Sequence, residues 1–328
     1  MTKGIGRLFQ VGIAKETTRG TVESSASYWI PFSELGIEEK DNKIFEEQAY
    51  GVIEDSIGST ITKQWAEGSL KAPIGDKHFG LILLAALGSV SSGAHAGESI
   101  VYDHIFSVQQ GAQHQALSLF LDDPLAGQDY KHALGVIDSL EITYEPGSYI
   151  GYSANIRAKK GATATLTPSL TTEGKFIHKH FTFKVASSLA GLGGGSAIAL
   201  KSLTLTITKN LEDDDVLGSI TPNDFLNKQF TIEGKLEALW QNESDFKTNT
   251  LAGTAKAIRL DLVNTDTTIG NAANPTVRID LAKVTFTEIT RPIQINEMVK
   301  QSVSFKAHYS TSDSKMITAL ITNLVSSY

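Results

Sequence analysis

The sequence predicts a mainly β protein made of two similar halves, each carrying one helix. Three observations carry this expectation. Apolar and polar residues alternate over most of the chain, as on half-buried strands. Helix signals are few. One order of elements occurs twice: a strand, a long acidic stretch, a strand, a helix, a strand and then a strand pair. At 328 residues the chain is also long enough for about two domains.

In chain order, Asp76 is placed to cap a helix running to Leu87, with Gly88 as its left-handed stop. Phe79, Ile82, Leu83, Ala86 and Leu87 give that helix a broad apolar face. Leu117, Leu119 and Leu121 then alternate with polar or opposite-facing positions. Leu140, Ile142 and Tyr144 form one strand and Tyr152, Ala154 and Ile156 the next, joined by the turn signal Glu145-Pro146-Gly147-Ser148. Lys159–Glu173 is rich in Gly, Ala, Ser and Thr, and Gly191–Gly195 is nearly all glycine. Both read as a flexible connection around 159–196, which divides the chain into residues 1–165 and 166–328. Leu203, Leu205 and Ile207 alternate with Thr204, Thr206 and Thr208. A polar helix fits Ser244–Ala252, closed by Gly253. Ile258, Leu260 and Leu262 mark another strand, as do Val303, Phe305 and Ala307. The last stretch, Met316–Val325, fits both periodicities, and its Ile, Thr and Val content favours strand.

The repeat is visible in residues as well as in order. Lys63-Gln64-Trp65 followed by Glu67-Gly68-Ser69-Leu70-Lys71-Ala72 resembles Lys228-Gln229-Phe230 followed by Glu233-Gly234-Lys235-Leu236-Glu237-Ala238. Each segment leads to a helix, and the helices close on Ala86-Leu87-Gly88 and Leu251-Ala252-Gly253. The acidic stretches before them are Glu38–Asp55 and Glu212–Asp224.

Composition and motifs exclude more than they select. With 41% hydrophobic residues the chain has ample material for a core. The net charge of −7, without a basic stripe, argues against sequence-specific nucleic-acid reading. Zero cysteines remove disulfides, thiolate metal sites and a Cys nucleophile. The N-terminus has no apolar signal core, and the most apolar run, Phe79–Leu87, is too short to span a bilayer. The expectation is a soluble protein made in the cytoplasm, with no membrane insertion.

No catalytic, cofactor-binding or metal-binding residue is assigned, and no cofactor is expected. His178 and His180 would share a strand face, but no third ligand lies near them. Gly191–Gly195 lacks the Lys-Ser/Thr of a phosphate loop. Asp213-Asp214-Asp215 lacks the glycine and distal glutamate of a calcium loop and reads as solvated. No GxSxG nucleophile elbow is present.

Several short segments resemble the tail tube proteins of long-tailed bacteriophages. They are the opening Gly12–Thr21, Glu67–Leu70 with the helix to Gly88, Leu203–Asn210 followed by Gly218 and Gly234–Glu237, and the ending Ile321–Tyr328. The resemblance implies two tandem tail-tube-like domains, each a β-sandwich or half-barrel with a flanking helix. It implies a structural virion protein, not an enzyme. Subunits would join sheets into rings, trimeric if the domain is duplicated and hexameric otherwise. Rings would stack into the hollow tube that delivers viral DNA. Implied partners are further copies, the tape-measure protein, and the tail tip and terminator proteins. Within that frame Glu38–Asp55 and Glu212–Asp224 are expected to make ring-to-ring contacts. Asp138, Glu141, Asp261 and Asp280 are the candidates for an acidic lumen that DNA does not stick to.

Three alternatives stand beside this reading. Another phage morphogenesis protein, or the inner tube of a contractile injection system, would share the fold. A two-domain binding module or adhesin would expose an aromatic cluster, whereas Trp29, Trp65 and Trp240 read as core. An enzyme on a β scaffold would need a constellation the sequence does not display.

Overall fold

A computed structural model describes residues 3–125 and 127–328. The chain begins with β1 (Gln10–Lys15), β2 (Tyr28–Ile30), β3 (Glu34–Leu35), β4 (Glu38–Phe45) and β5 (Ser59–Pro73). Next come α1 (Phe79–Leu87), β6 (Gly88–Ala94), β7 (Tyr102–Val108), β8 (Leu117–Asp122), β9 (Asp129–Tyr144), β10 (Gly151–Ala158) and β11 (Ala162–Ala164). The remainder contains β12 (Phe181–Ala186), β13 (Ser202–Thr208), β14 (Glu212–Asp214), β15 (Asp224–Leu226) and β16 (Thr231–Leu239). It ends with α2 (Lys247–Ala252), β17 (Lys256–Val263), β18 (Thr276–Thr290), β19 (Lys300–His308) and β20 (Ile317–Asn323). The protein is mainly β, and all its strand pairings are antiparallel.

One sheet runs β3/β4–β5–β10–β9–β13–β16–β19–β18. Two further sets of strands hang from it. β2–β1–β8 is attached through the first part of β9, and β12–β17 with β20–β7–β6 is attached through the first part of β18. The apolar faces of these sets meet in one large core, with α1 inside it.

The pairing scheme repeats. β1–β8–β9–β10–β5 in the first half has the same order as β12–β17–β18–β19–β16 in the second. The irregularities coincide as well. β8/β9 slips between Leu117 and Leu119, and β17/β18 between Lys256 and Ile258. β9/β10 slips between Asn155 and Ile156, and β18/β19 between Phe286 and Glu288. Gly68 pairs with Ile156 and Gly234 with Phe305, so these glycines hold the same place. Each is forced by close approach: a Cβ on Gly68 would meet the Gly36 carbonyl, and one on Gly234 the Phe305 ring. The Lys63–Trp65 and Lys228–Phe230 segments sit one residue out of that register. Among the described residues the β6–β7 hairpin has no counterpart after α2.

The alternating strands form where expected. Leu203, Leu205 and Ile207 are buried and the threonines between them half-buried. Ile317–Asn323 is a strand, held between β18 and β7. Gly88 and Gly253 close their helices in the left-handed conformation.

Four local expectations are corrected. Asp76 does not cap α1. Its carboxylate accepts the Gly174 N–H at 2.8 Å, while Glu173 accepts the N–H groups of Lys77 and His78 ahead of the helix. All nine residues of α1 are buried, not one face, because strands, Lys209 and Tyr328 surround it. α2 starts at Lys247, since Asn242 accepts the Asp245 N–H and holds the preceding residues in a turn. Gly191–Gly195 is not a free tether: Leu189–Gly193 makes a 3-10 turn with Leu192 fully buried.

The two acidic stretches also differ from loops. Glu38–Phe45 pairs with Ser59–Glu67, so Glu38–Asp55 is most of a projecting β-hairpin arm with exposed Ile44, Phe45 and Ile53. Glu212–Asp214 pairs with Leu226–Asp224, and this ribbon folds back onto the first half of the chain.

Candidate functional site

The feature with functional content is the outward face of the long sheet. One cross-strand row reads Glu34–Lys71–Ser153–Glu141–Thr206–Glu233–Lys306–Thr285, and each neighbour is a register partner. Successive residues of a strand alternate faces, so the positions two before and two after continue the same surface. The centre of this face is Ser and Thr, drawn from β9, β10, β13 and β16. Three of its acids are matched: Lys71 reaches Glu34 at 2.7 Å, Lys306 reaches Glu233 at 2.8 Å and Lys300 reaches Glu237 at 3.1 Å. Between β13, β16 and β19 the face is concave, enclosing about 410 Å³.

Of the four acidic candidates, only Glu141 stands exposed in this row. Asp138 lies at the β9 bulge, where its carboxylate accepts the Leu211 N–H and its carbonyl the Lys209 N–H. Asp261 and Asp280 belong to β17 and the first part of β18. There they pair across strands with Arg278 and Arg259.

Three of the places where the two halves of the chain meet involve named strands. β9 and β13 pair over Ser139–Tyr144 and Leu203–Thr208, and β20 pairs with β7. The β14–β15 ribbon is the third. Arg19 holds Asp224 through two nitrogens, Lys63 holds both Asp213 and Asp215 at 2.6 Å, and Arg157 holds Asp213 at 2.7 Å. Burial alone would raise the Asp213 carboxyl, but the Lys63 bond and the Arg157 charge outweigh it and lower its pKa. The acidic run is therefore partnered, not solvated. Phe225, next to Asp224, is buried against Leu134, Val136 and Trp65.

At the β9–β13 junction Lys209 is fully buried. Its ammonium donates to the Ala85 carbonyl at 2.9 Å, near the C-terminal end of α1, where a cation is favoured. Desolvation, with Arg19 nearby, pushes its pKa down to about 7. At the other end of α1, Glu173 accepts from His78 Nδ1 at 2.7 Å and both groups are buried. Burial raises the Glu173 carboxyl, yet the His78 bond and charge prevail and its pKa is lowered.

His178 and His180 lie in a 3-10 turn, not on a strand face. His178 Nδ1 accepts the Gly147 N–H, and His180 Nδ1 accepts the Ile177 N–H. His180 Nε2 then donates to Asp266. No cluster of three or more His, Cys, Asp or Glu suited to a metal occurs among the described residues, and none of their helices is long and apolar enough to cross a membrane. Trp29 is buried, Trp65 packs in the Phe225 cluster, and Trp240 lies under the Arg291 guanidinium at 4.0 Å. The sequence pattern marked the strands of the polar face, but not the partners of Asp213, Asp224 and Glu173, which are 56 to 205 residues away in the chain.

A β-rich protein that carries an extended polar sheet face with two open edges belongs to the class of proteins built for assembly. Residues 6–307 match the family described as phage tail tube protein, and the chain belongs to that family. It is accordingly a structural protein of the virion tail. No curated protein matches the sequence.

Proposed function

We propose that this chain is a duplicated tail tube subunit that closes into rings of three with pseudo-sixfold symmetry. The rings stack into the hollow tube through which viral DNA reaches the host. Residues 1–165 and 166–328 are the two tube domains. The observation that carries this reading is the recurrence of the strand pairings, with the same two slips, on one sheet that crosses both halves. Curling that sheet through successive copies places the Ser/Thr face on the inside of a barrel, which has no open edge. A face of hydroxyls and matched Glu–Lys pairs offers DNA no run of free cations, so phosphates find no succession of contacts to stall on. The arm Glu38–Asp55 projects with exposed apolar residues and suits contact with the next ring. The tape-measure, tip and terminator proteins are the partners of such a tube. Electron microscopy of the purified protein tests this: three subunits per ring support the reading, and six would remove the duplication.

A further inference from the structure

The long sheet ends in two unlike edges, and the chain already contains a pairing that shows how they fit. β9 is covered on one side by β10 and on the other by β13. Its counterpart β18 has β19 on one side along Lys283–Thr290, with no strand paired opposite beyond Val284 among the described residues. β13 in turn lies between β16 and β9, whereas β3–β4, which hold the same place on β5, have an open outer side. The positions correspond residue for residue. Leu140 pairs with Ala154 and Ile289 with Val303, each two residues past the matching slip. Leu35 pairs with Leu70 and Leu203 with Leu236, the two leucines of the repeated segment.

Burial marks the same edge. Leu140, Ile142 and Tyr144 are covered by β13 and are 0%, 0% and 4% exposed. Ile293, which stands where Tyr144 does, is 71% exposed. An edge with apolar residues and unpaired backbone groups is a template for another strand.

From this correspondence we infer that a second copy of this chain pairs its Leu35–Lys40 antiparallel with Glu288–Ile293, in the register set by β13 on β9. Leu203 opposite Tyr144 becomes Leu35 opposite Ile293, Thr206 opposite Glu141 becomes Glu38 opposite Thr290, and Thr208 opposite Ser139 becomes Lys40 opposite Glu288. The last pair brings opposite charges together. The backbone agrees. Gly36 donates to Ser69, so the even-numbered residues of this segment face β5 and Leu35, Ile37 and Glu39 face outward. Lys209 donates to Asp138, so Leu140, Ile142 and Tyr144 bond toward β13, and their counterparts are Ile289, Arg291 and Ile293. Pro292, which has no N–H, falls at a position that faces away from the neighbour. The contact is heterologous, so it repeats from copy to copy and closes only as a ring. This register rests on the ring reading proposed above.

The absence of native cysteine makes the test clean. Glu38→Cys and Thr290→Cys in one chain place two thiols at a non-hydrogen-bonded cross-strand pair, where disulfide geometry is met. Mild oxidation is expected to give covalent multimers under denaturing electrophoresis. The pair Glu38→Cys with Glu288→Cys, two residues out of register, is expected to give at least tenfold less. Lys40→Glu or Glu288→Lys alone is expected to weaken assembly, and the double reversal to restore it. Rings or tubes without the in-register cross-link, or with the out-of-register one, overturn the register and leave the tube reading standing. Neither rings nor cross-links under any assembly condition would overturn both.

Discussion

Lys209 and Glu173 show how single side chains tie the halves to the core helix. Lys209 is buried with a pKa pushed down to about 7, against roughly 10.4 in an unfolded chain. Between those values the unfolded state binds more protons than the folded one, so stability rises with pH from 7 toward 10. Lys209→Met should remove that part of the rise, a difference of up to about 1 kcal/mol per pH unit in denaturation curves. Glu173 has the opposite sense: a lowered carboxyl contributes stability above its unfolded value, lost as pH falls through the folded one. Glu173→Ala leaves His78 without its carboxylate and the Lys77 and His78 N–H groups without an acceptor. It should cost about 3 kcal/mol in chemical denaturation. Neither role was legible in the sequence. Lys209 ends a visible strand pattern but its partner is on α1, and the N-terminal end of α1 is served by Glu173 instead of the nearby Asp76.

At the scale of elements, alternation located the strands because each has one buried face, as in Leu203–Ile207 and Val303–Ala307. It could not show that Glu38–Phe45 is a strand, since that arm is exposed on both faces and carries no period-two apolar signal. Nor could it place the β14–β15 ribbon, whose position is set by Arg19, Lys63 and Arg157. Asp213→Ala should free the ribbon, costing about 1 kcal/mol for the partly exposed pairs. Faster limited proteolysis within Val216–Ile220 would report it; an unchanged rate would place the anchoring elsewhere, at Asp224 or Phe225. The repeated glycine is more demanding. Gly68→Ala drives a methyl group into the Gly36 carbonyl, a backbone atom that moves only if β3–β4 lift from β5. A loss of about 1–3 kcal/mol is expected in thermal or chemical unfolding, together with impaired assembly through the displaced edge.

For the whole molecule, the repeated element order was readable because the Gly68 and Gly234 segments keep their residues, while most of the equivalence lies in register and shared slips that no short motif carries. The polar face proposed to line the lumen was legible only in part. Alternation put Glu141 outward, but Asp261 and Asp280 alternate equally well on strands that leave the long sheet. Membership in the phage tail tube family fixes the structural role, and the sheet crossing both halves suggests how the tube is made. The most direct test is mass per ring from averaged cross-sections of assembled tubes in electron microscopy. Three chains around the axis, showing six similar lobes, are the predicted result. Six chains per ring, or an assembly whose wall is not a continuous sheet, would contradict the account.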